Sequence, residues 1–204
     1  MSPRLWIIFV VSAALATLGW LWVSPEREAR PAPLELSSGI VLTAPRPLAE
    51  FWLEDTTGRE FSRARLEGRW SLLSIGFTQC PDVCPLTLAA LAAATSRLEP
   101  GLAAQTVFVS VDPARDTAAE LEEYVHYFDP GFIAVTGERD ELDKLCASLG
   151  FAYVHVPRGG GEYTVDHSTA VALIDPQARV AGYFRLPLDA ERLAHDLAGL
   201  PPPR

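Results

Sequence analysis

Residues 70–98 read as strand, loop and helix, and this order constrains the chain more than any other feature. An apolar run (Leu72, Leu73, Ile75, Phe77) leads into Thr78-Gln79-Cys80-Pro81-Asp82-Val83-Cys84-Pro85, and an Ala/Leu-rich segment follows as far as Pro100-Gly101. The block therefore delivers two of the chain's three cysteines to the start of a helix. Proline fits the first helical position, where its missing N–H costs nothing, so Pro85 makes Cys84 the expected N-cap. The partial positive charge of a helix N-terminus favours thiolate. A thiolate is both the nucleophile of disulfide exchange and a soft metal ligand, so the pair reads as a redox couple or as half a metal site. A static disulfide closing so short a loop would remove little chain entropy.

The flanking pattern is that of a layered α/β domain. Residues 51–53 and 60–61, around the turn Asp55-Thr56-Thr57-Gly58, predict a short hairpin. Residues 106–111 predict a buried strand ended by Asp112-Pro113. Thr117 and Glu120 form a capping box, and the helix behind it carries Leu121, Tyr124, Val125 and Phe128 on one face. A short strand is expected over 132–136, and a helix over 140–149 ends at Gly150. Another strand is expected over 151–156, a flexible glycine-rich loop over 157–161, and a hairpin of strands 169–174 and 180–184. Asp189 caps a last helix carrying Leu193, Leu197 and Leu200. Strands alternating with helices through the middle predict a sheet that is parallel at its centre.

The hydrophobic share is 49%, enough for a substantial core in a chain of 204 residues. The net charge of −9, with no basic run, argues against nucleic acid as a partner. Residues 5–23 carry no charge and hold Trp6, Trp20 and Trp22 near their ends. As a helix they would span about 28 Å, close to a bilayer's hydrocarbon core. Residues 1–24 are thus expected to be a single membrane anchor with the bulk of the chain outside the cytoplasm. A cleaved signal peptide is the competing reading, with Ala14-Leu15-Ala16 as its small-residue site. Residues 25–47 hold five prolines and read as an extended tether, and residues 48–204 as the folded domain.

Cys146 shares an apolar helical stripe with Leu142, Leu145 and Leu149 and reads as a small core hydrophobe. His126 and His195 fall on polar helix faces, and His155, in a strand, reads as a core or surface residue. His167 stands out, because Tyr163-Thr164-Val165-Asp166-His167-Ser168 lies between the glycine-rich loop and a buried strand, where a rigid sheet aims a loop residue. Two thiolates and an imidazole suit copper as Cu(I) or Cu(II). Zinc would also accept them with a water, and the cysteines alone could cycle between dithiol and disulfide. Residue types do not separate these three.

Three motifs carry a resemblance: Phe77-Thr78-Gln79-Cys80-Pro81-Asp82-Val83-Cys84-Pro85; Ser110-Val111-Asp112-Pro113 with Asp116-Thr117; and Tyr163-Thr164-Val165-Asp166-His167-Ser168 leading into Leu173-Ile174-Asp175-Pro176. With them, over about residues 45–200, the chain resembles the Sco/SenC family of membrane-anchored, thioredoxin-like copper-binding proteins. The resemblance implies a thioredoxin-like α/β fold, a central mixed sheet flanked by helices, with an N-terminal hairpin and one preceding transmembrane helix. It implies copper held by Cys80, Cys84 and His167. Beside them Asp82 and Asp166, the acids that adjoin the ligands in sequence, are expected as supporting groups. It also implies a metallochaperone role in assembling the dinuclear copper centre of cytochrome c oxidase. The partner would be oxidase subunit II or another exported copper protein, and the place the periplasmic face of a bacterial cytoplasmic membrane. The copper donor is left unassigned. Two alternatives stand beside this role: a thiol–disulfide oxidoreductase using Cys80 and Cys84 on exported proteins, and a copper or redox sensor. Thioredoxin-like oxidoreductases place a proline before the strand that ends here in Leu173-Ile174-Asp175, whereas this chain has His167-Ser168-Thr169-Ala170, which favours the copper reading. The family also tends to have a turn glycine after Asp175-Pro176, where this chain has Gln177-Ala178.

Overall fold

The elements expected around the cysteine block are present in the structure, a computed structural model that describes residues 34–99 and 104–203. Ten strands run in chain order: β1 (Gly39–Pro47), β2 (Trp52–Asp55), β3 (Glu60–Ser62), β4 (Ser71–Gly76), β5 (Gln105–Ser110), β6 (Ile133–Thr136), β7 (Tyr153–Gly159), β8 (Glu162–His167), β9 (Val171–Ile174) and β10 (Arg179–Phe184). Among the described residues four α-helices accompany them: α1 (Val83–Thr95), α2 (Ala118–Phe128), α3 (Arg139–Leu149) and α4 (Ala190–Ala198).

Eight strands form one sheet in the order β1-β10-β9-β4-β5-β6-β2-β3, and β7 and β8 form a separate two-stranded sheet. The centre, β4-β5-β6, is parallel. That pairing requires the crossovers through α1 and α2 that the alternating pattern predicted. β9 runs antiparallel to β4, and β10 and β1 extend the sheet antiparallel beyond it. β4 and β9 are buried along their whole length, as continuous apolar runs covered on both faces should be. The core gathers Phe51, Phe61, Phe108 and Phe184 with the leucines of β4 and α3 and with Leu88 and Leu91 of α1. Thr117 and Glu120 make the expected capping box, Gly150 ends α3 in the left-handed conformation with φ 74°, and Asp189 accepts the first backbone N–H groups of α4.

Four expectations change. First, residues 39–47 are not free tether: they are β1, paired with β10. The preceding turn is fastened by Asp196 of α4, which accepts from the backbone N–H groups of Ser37 and Ser38 and from the Ser38 hydroxyl. The folded unit accordingly begins by Leu34 rather than Leu48. Prolines at the strand end and on a sheet edge are compatible with pairing, which a reading of proline as linker misses.

Second, α1 begins at Val83 with Asp82 in the N-cap position, so Cys84 and Pro85 lie inside the first turn. Every N–H of that turn lacks an intrahelical acceptor, so proline loses no more there than at the first position. Third, residues 157–161 are not an open loop but the tip of the β7–β8 hairpin, with Gly159, Gly160 and Gly161 at positive φ. His167 is therefore the last residue of a strand. Fourth, where the family tends to have a turn glycine, Ala178 adopts φ 54°. Asp175 holds that turn by accepting from the backbone N–H groups of Gln177 and Arg179 and from the Arg179 guanidinium.

Among the described residues no helix is long and apolar enough to cross a membrane. The apolar stretch 5–23, expected as the anchor, lies outside them.

Candidate metal centre

The antiparallel pairing of β9 with β4 (Leu72↔Leu173, Leu73↔Ala172) has a direct consequence for the site. Chain that precedes β9 must lie beside chain that follows β4. His167 stands four residues before β9, and the cysteine block stands just after β4. The topology thus closes a sequence gap of 83 residues. The Cys80, Cys84 and His167 donor atoms all lie within 4.8 Å of one another. Sulfur and nitrogen donors bound to one ion at about 2.0–2.3 Å stand up to about 4.6 Å apart, so a small contraction would bring these three onto a shared ion. Cys84 and Cys80 are buried, at 3% and 9% exposure, and His167 is half-buried.

Imidazole orientation is set by its own backbone. His167 Nδ1 lies 2.8 Å from the Ser168 carbonyl oxygen. A carbonyl only accepts, so Nδ1 carries the proton and Nε2 keeps its lone pair. That lone pair faces the Cys84 sulfur at 3.4 Å. Phe77 meets the same ring edge-on, with centroids 6.1 Å apart. An imidazole fixed in this tautomer is a ready metal ligand.

The two thiols are not equivalent. The hydrogen bond from Cys84 is the largest influence on Cys80. With the backbone N–H groups of Asp82 and Cys84, it outweighs burial and brings the Cys80 pKa down to about 4. Cys84 moves the other way: the Cys80 sulfur at its side and its own burial hold it protonated well above the ordinary thiol range. The pair shares one proton, with the negative charge on the more accessible sulfur. This is the asymmetry disulfide exchange needs, and also the state from which a soft metal ion displaces the remaining proton.

Neither supporting aspartate takes the expected place. Asp82 and Asp166 are exposed, and Asp166 projects from the opposite side of β8 to its neighbours Val165 and His167. Asp82 contributes its backbone N–H instead. The buried acids at the site are Asp112 and Asp116, at 0% and 2% exposure. Asp116 accepts from the backbone N–H and hydroxyl of Thr78 and from the Ser110 hydroxyl, fixing the loop two residues before Cys80. Both acids belong to the Ser110–Thr117 motif, whose presence was legible although its role was not. Cys146 is 2% exposed, and burial raises its thiol to about 12. His126 and His195 are exposed.

A model of the family described as SCO1/SenC matches residues 43–200. The chain belongs to the SCO1/SenC family. Among its relatives, the SCO2-like protein of Rickettsia prowazekii is 30% identical over 196 residues, covering 95% of this chain and 96% of its own. Yeast Sco1, solved with copper bound, superposes with a TM-score of 0.69 at 32% identity, over 75% of this chain and 87% of its own. Apo Sco1 of Thermus thermophilus superposes with a TM-score of 0.71 at 34% identity, over 81% of this chain and 97% of its own. These likenesses establish the thioredoxin-like α/β Sco fold, and the Cys80–Cys84–His167 group fits the copper that family structures contain.

Proposed function

We propose that the protein is a copper metallochaperone that assists assembly of the dinuclear copper centre of cytochrome c oxidase, with copper as its cargo. One observation carries the reading: two cysteine sulfurs and an imidazole nitrogen from separate elements converge within 4.8 Å, with the imidazole held in the ligating tautomer. Cys80, Cys84 and His167 supply the copper ligands. Two thiolates accept Cu(I), and the added imidazole suits Cu(II) as well. Membership of a family with copper-bound structures supports the metal, and the resemblance supplies the oxidase subunit as recipient. The domain works on the outer face of a bacterial cytoplasmic membrane, a placement supported by the uncharged stretch 5–23 and by a lipoprotein relative from Bacillus anthracis.

The test is copper binding by the full chain with its cysteines reduced. The wild type gives sulfur-to-Cu(II) charge-transfer bands and binds tightly, whereas His167→Ala binds at least tenfold more weakly. Equal binding by the two would remove His167 from the ligand set.

The shared proton of the thiol pair favours a second reading, reduction of cysteines on the recipient by Cys80 and Cys84. That role needs the thiols but not the imidazole. An assembly-deficient strain rescued by His167→Ala but not by Cys80→Ser would select it.

A further inference from the structure

The strand that carries His167 belongs to the small β7–β8 sheet, which shares no strand pairing with the main sheet. Cys80 rides on the loop after β4 and Cys84 on the first turn of α1. Something must set the distance between these two bodies, because three donors make a metal site only at the right separation.

Arg115, in the turn between β5 and α2, touches both. Its Nη1 donates to the Gln79 side-chain oxygen at 3.1 Å, next to Cys80, and to the Tyr163 carbonyl at 3.0 Å, on the strand that ends in His167. Its guanidinium stacks on the Tyr163 ring with 3.8 Å to the centroid. It also lies 5.8 Å from the centroid of Phe77, the ring that meets His167. Tyr163, Val165 and His167 alternate onto one side of β8, so the stacked ring and the imidazole share a face.

Asp112 holds the guanidinium still. Fully buried, it accepts from the Tyr163 hydroxyl at 2.7 Å and from Arg115 Nε at 2.6 Å, and the oxygen that takes Nε also forms an ion pair with Arg115 Nη2 at 2.6 Å. His155, across the hairpin, stands 3.7 Å from the same carboxylate. One planar cation thus reaches the cysteine loop, the histidine strand and a buried anchor together. Lysine, a single point charge on a flexible stem, could not bridge all three.

We propose that Arg115 is the positioning residue of the metal centre: it joins the Cys80 loop to the His167 strand and so sets the distance between thiols and imidazole. The proposal rests on the copper reading above, and its test separates the two. Arg115→Lys keeps a positive charge beside Asp112 but loses the fork and the stacking. Gln79→Ala removes only the arm to the cysteine loop, at an exposed residue. Each full-length variant is compared with the wild type after reduction, first metal-free by amide hydrogen exchange and then with added copper sulfate by absorption and electron paramagnetic resonance.

In Arg115→Lys, exchange over 162–167 rises about tenfold while α4 keeps its wild-type protection. Copper binds about 10–100-fold more weakly, and the nitrogen hyperfine signal of His167 fades while the sulfur charge-transfer bands persist. Gln79→Ala weakens copper about 3–10-fold, at the low end of such outer-shell effects, with an unchanged melting temperature. If Arg115→Lys fails to fold, Gln79→Ala alone decides. Wild-type copper affinity and nitrogen signal in the folded variants would overturn the proposal. A wild type lacking sulfur and nitrogen ligation would overturn the copper reading itself.

Discussion

At Gly76, the last residue of β4, the missing side chain makes room for the Cys84 sulfur. A Cβ there would lie 2.6 Å from Cys84 Sγ and 2.8 Å from the Phe108 ring, closer than such atoms approach. Gly76→Ala must push Cys84 or Phe108 aside. Overpacking of this kind costs about 1–3 kcal/mol, or roughly 2–4 °C of melting temperature per kcal/mol for a domain of this size. The metal-free variant is expected to melt lower, and its copper charge-transfer spectrum to shift. Wild-type melting and spectrum together would show that Cys84 does not rest on Gly76. A second prediction concerns Asp55. Burial opposes ionisation, but hydrogen bonds from the Thr57 hydroxyl and backbone and from Arg59 outweigh it and hold the carboxyl at about 2. Because the folded pKa lies below the unfolded one, the stabilisation is complete above about pH 4 and fades as pH falls towards 2. The carboxylate itself is buried, but its partner Arg59 is largely exposed, and solvent screening there limits the gain to about 1–2 kcal/mol. Urea unfolding at pH 6 and pH 3 should show Asp55→Asn less stable at the higher pH and closer to wild type at the lower. An equal deficit at both pH values would exclude a charge effect.

Among the elements, the strands and helices around the cysteine block were legible because their apolar runs are long and their boundaries carry turn and cap residues. Asp112-Pro113, the Thr117–Glu120 box and Gly150 each mark an end that the structure keeps. The β7–β8 hairpin was not legible, because Gly159-Gly160-Gly161 suggests loop from composition while the flanking residues pair. β1 was missed because its prolines mimic a linker. The strand matters to stability all the same. Gly182 of β10 lies against it so closely that a Cβ would stand 2.5 Å from the Ile40 carbonyl oxygen, and Asp196 fastens the preceding turn. A chain starting at Leu48 is therefore expected to lose more than its nine β1 residues. It would leave the Asp196 carboxylate without its three donors, a cost of about 1–3 kcal/mol, and open β10 as an unpaired edge. Thermal melting should fall by roughly 5–10 °C relative to a chain starting at Leu34, with more aggregation on heating. Equal melting of the two would restore residues 34–47 to the status of tether.

Across the whole molecule, the site exists only where three separate pieces of chain meet: the end of β4, the turn after β5 and the end of β8. Alternating strands and helices predicted the parallel centre. They could not predict that β9 would pair antiparallel with β4, and that register is what carries His167 to the cysteines. The motifs therefore named the ligands by resemblance, while their convergence depends on the assembled sheet. This dependence makes copper binding a probe of the fold. A ligand that binds only the folded state stabilises it by about 4.1 kcal/mol when its concentration is a thousand times its dissociation constant. For a domain of this size that corresponds to roughly 8–16 °C. The unfolded chain still offers Cys80 and Cys84 as close neighbours, so part of the gain is cancelled and a rise near the lower figure is expected for the reduced wild type. His167→Ala, with only the local cysteine pair left, should bind folded and unfolded chains more nearly alike and gain little. The wild type oxidised to join Cys80 and Cys84 should gain nothing, since the disulfide removes both thiolates. Differential scanning calorimetry of the three samples with and without copper measures this order. A rise in His167→Ala equal to that of the reduced wild type would mean that copper reads the cysteine loop alone and not the assembled site.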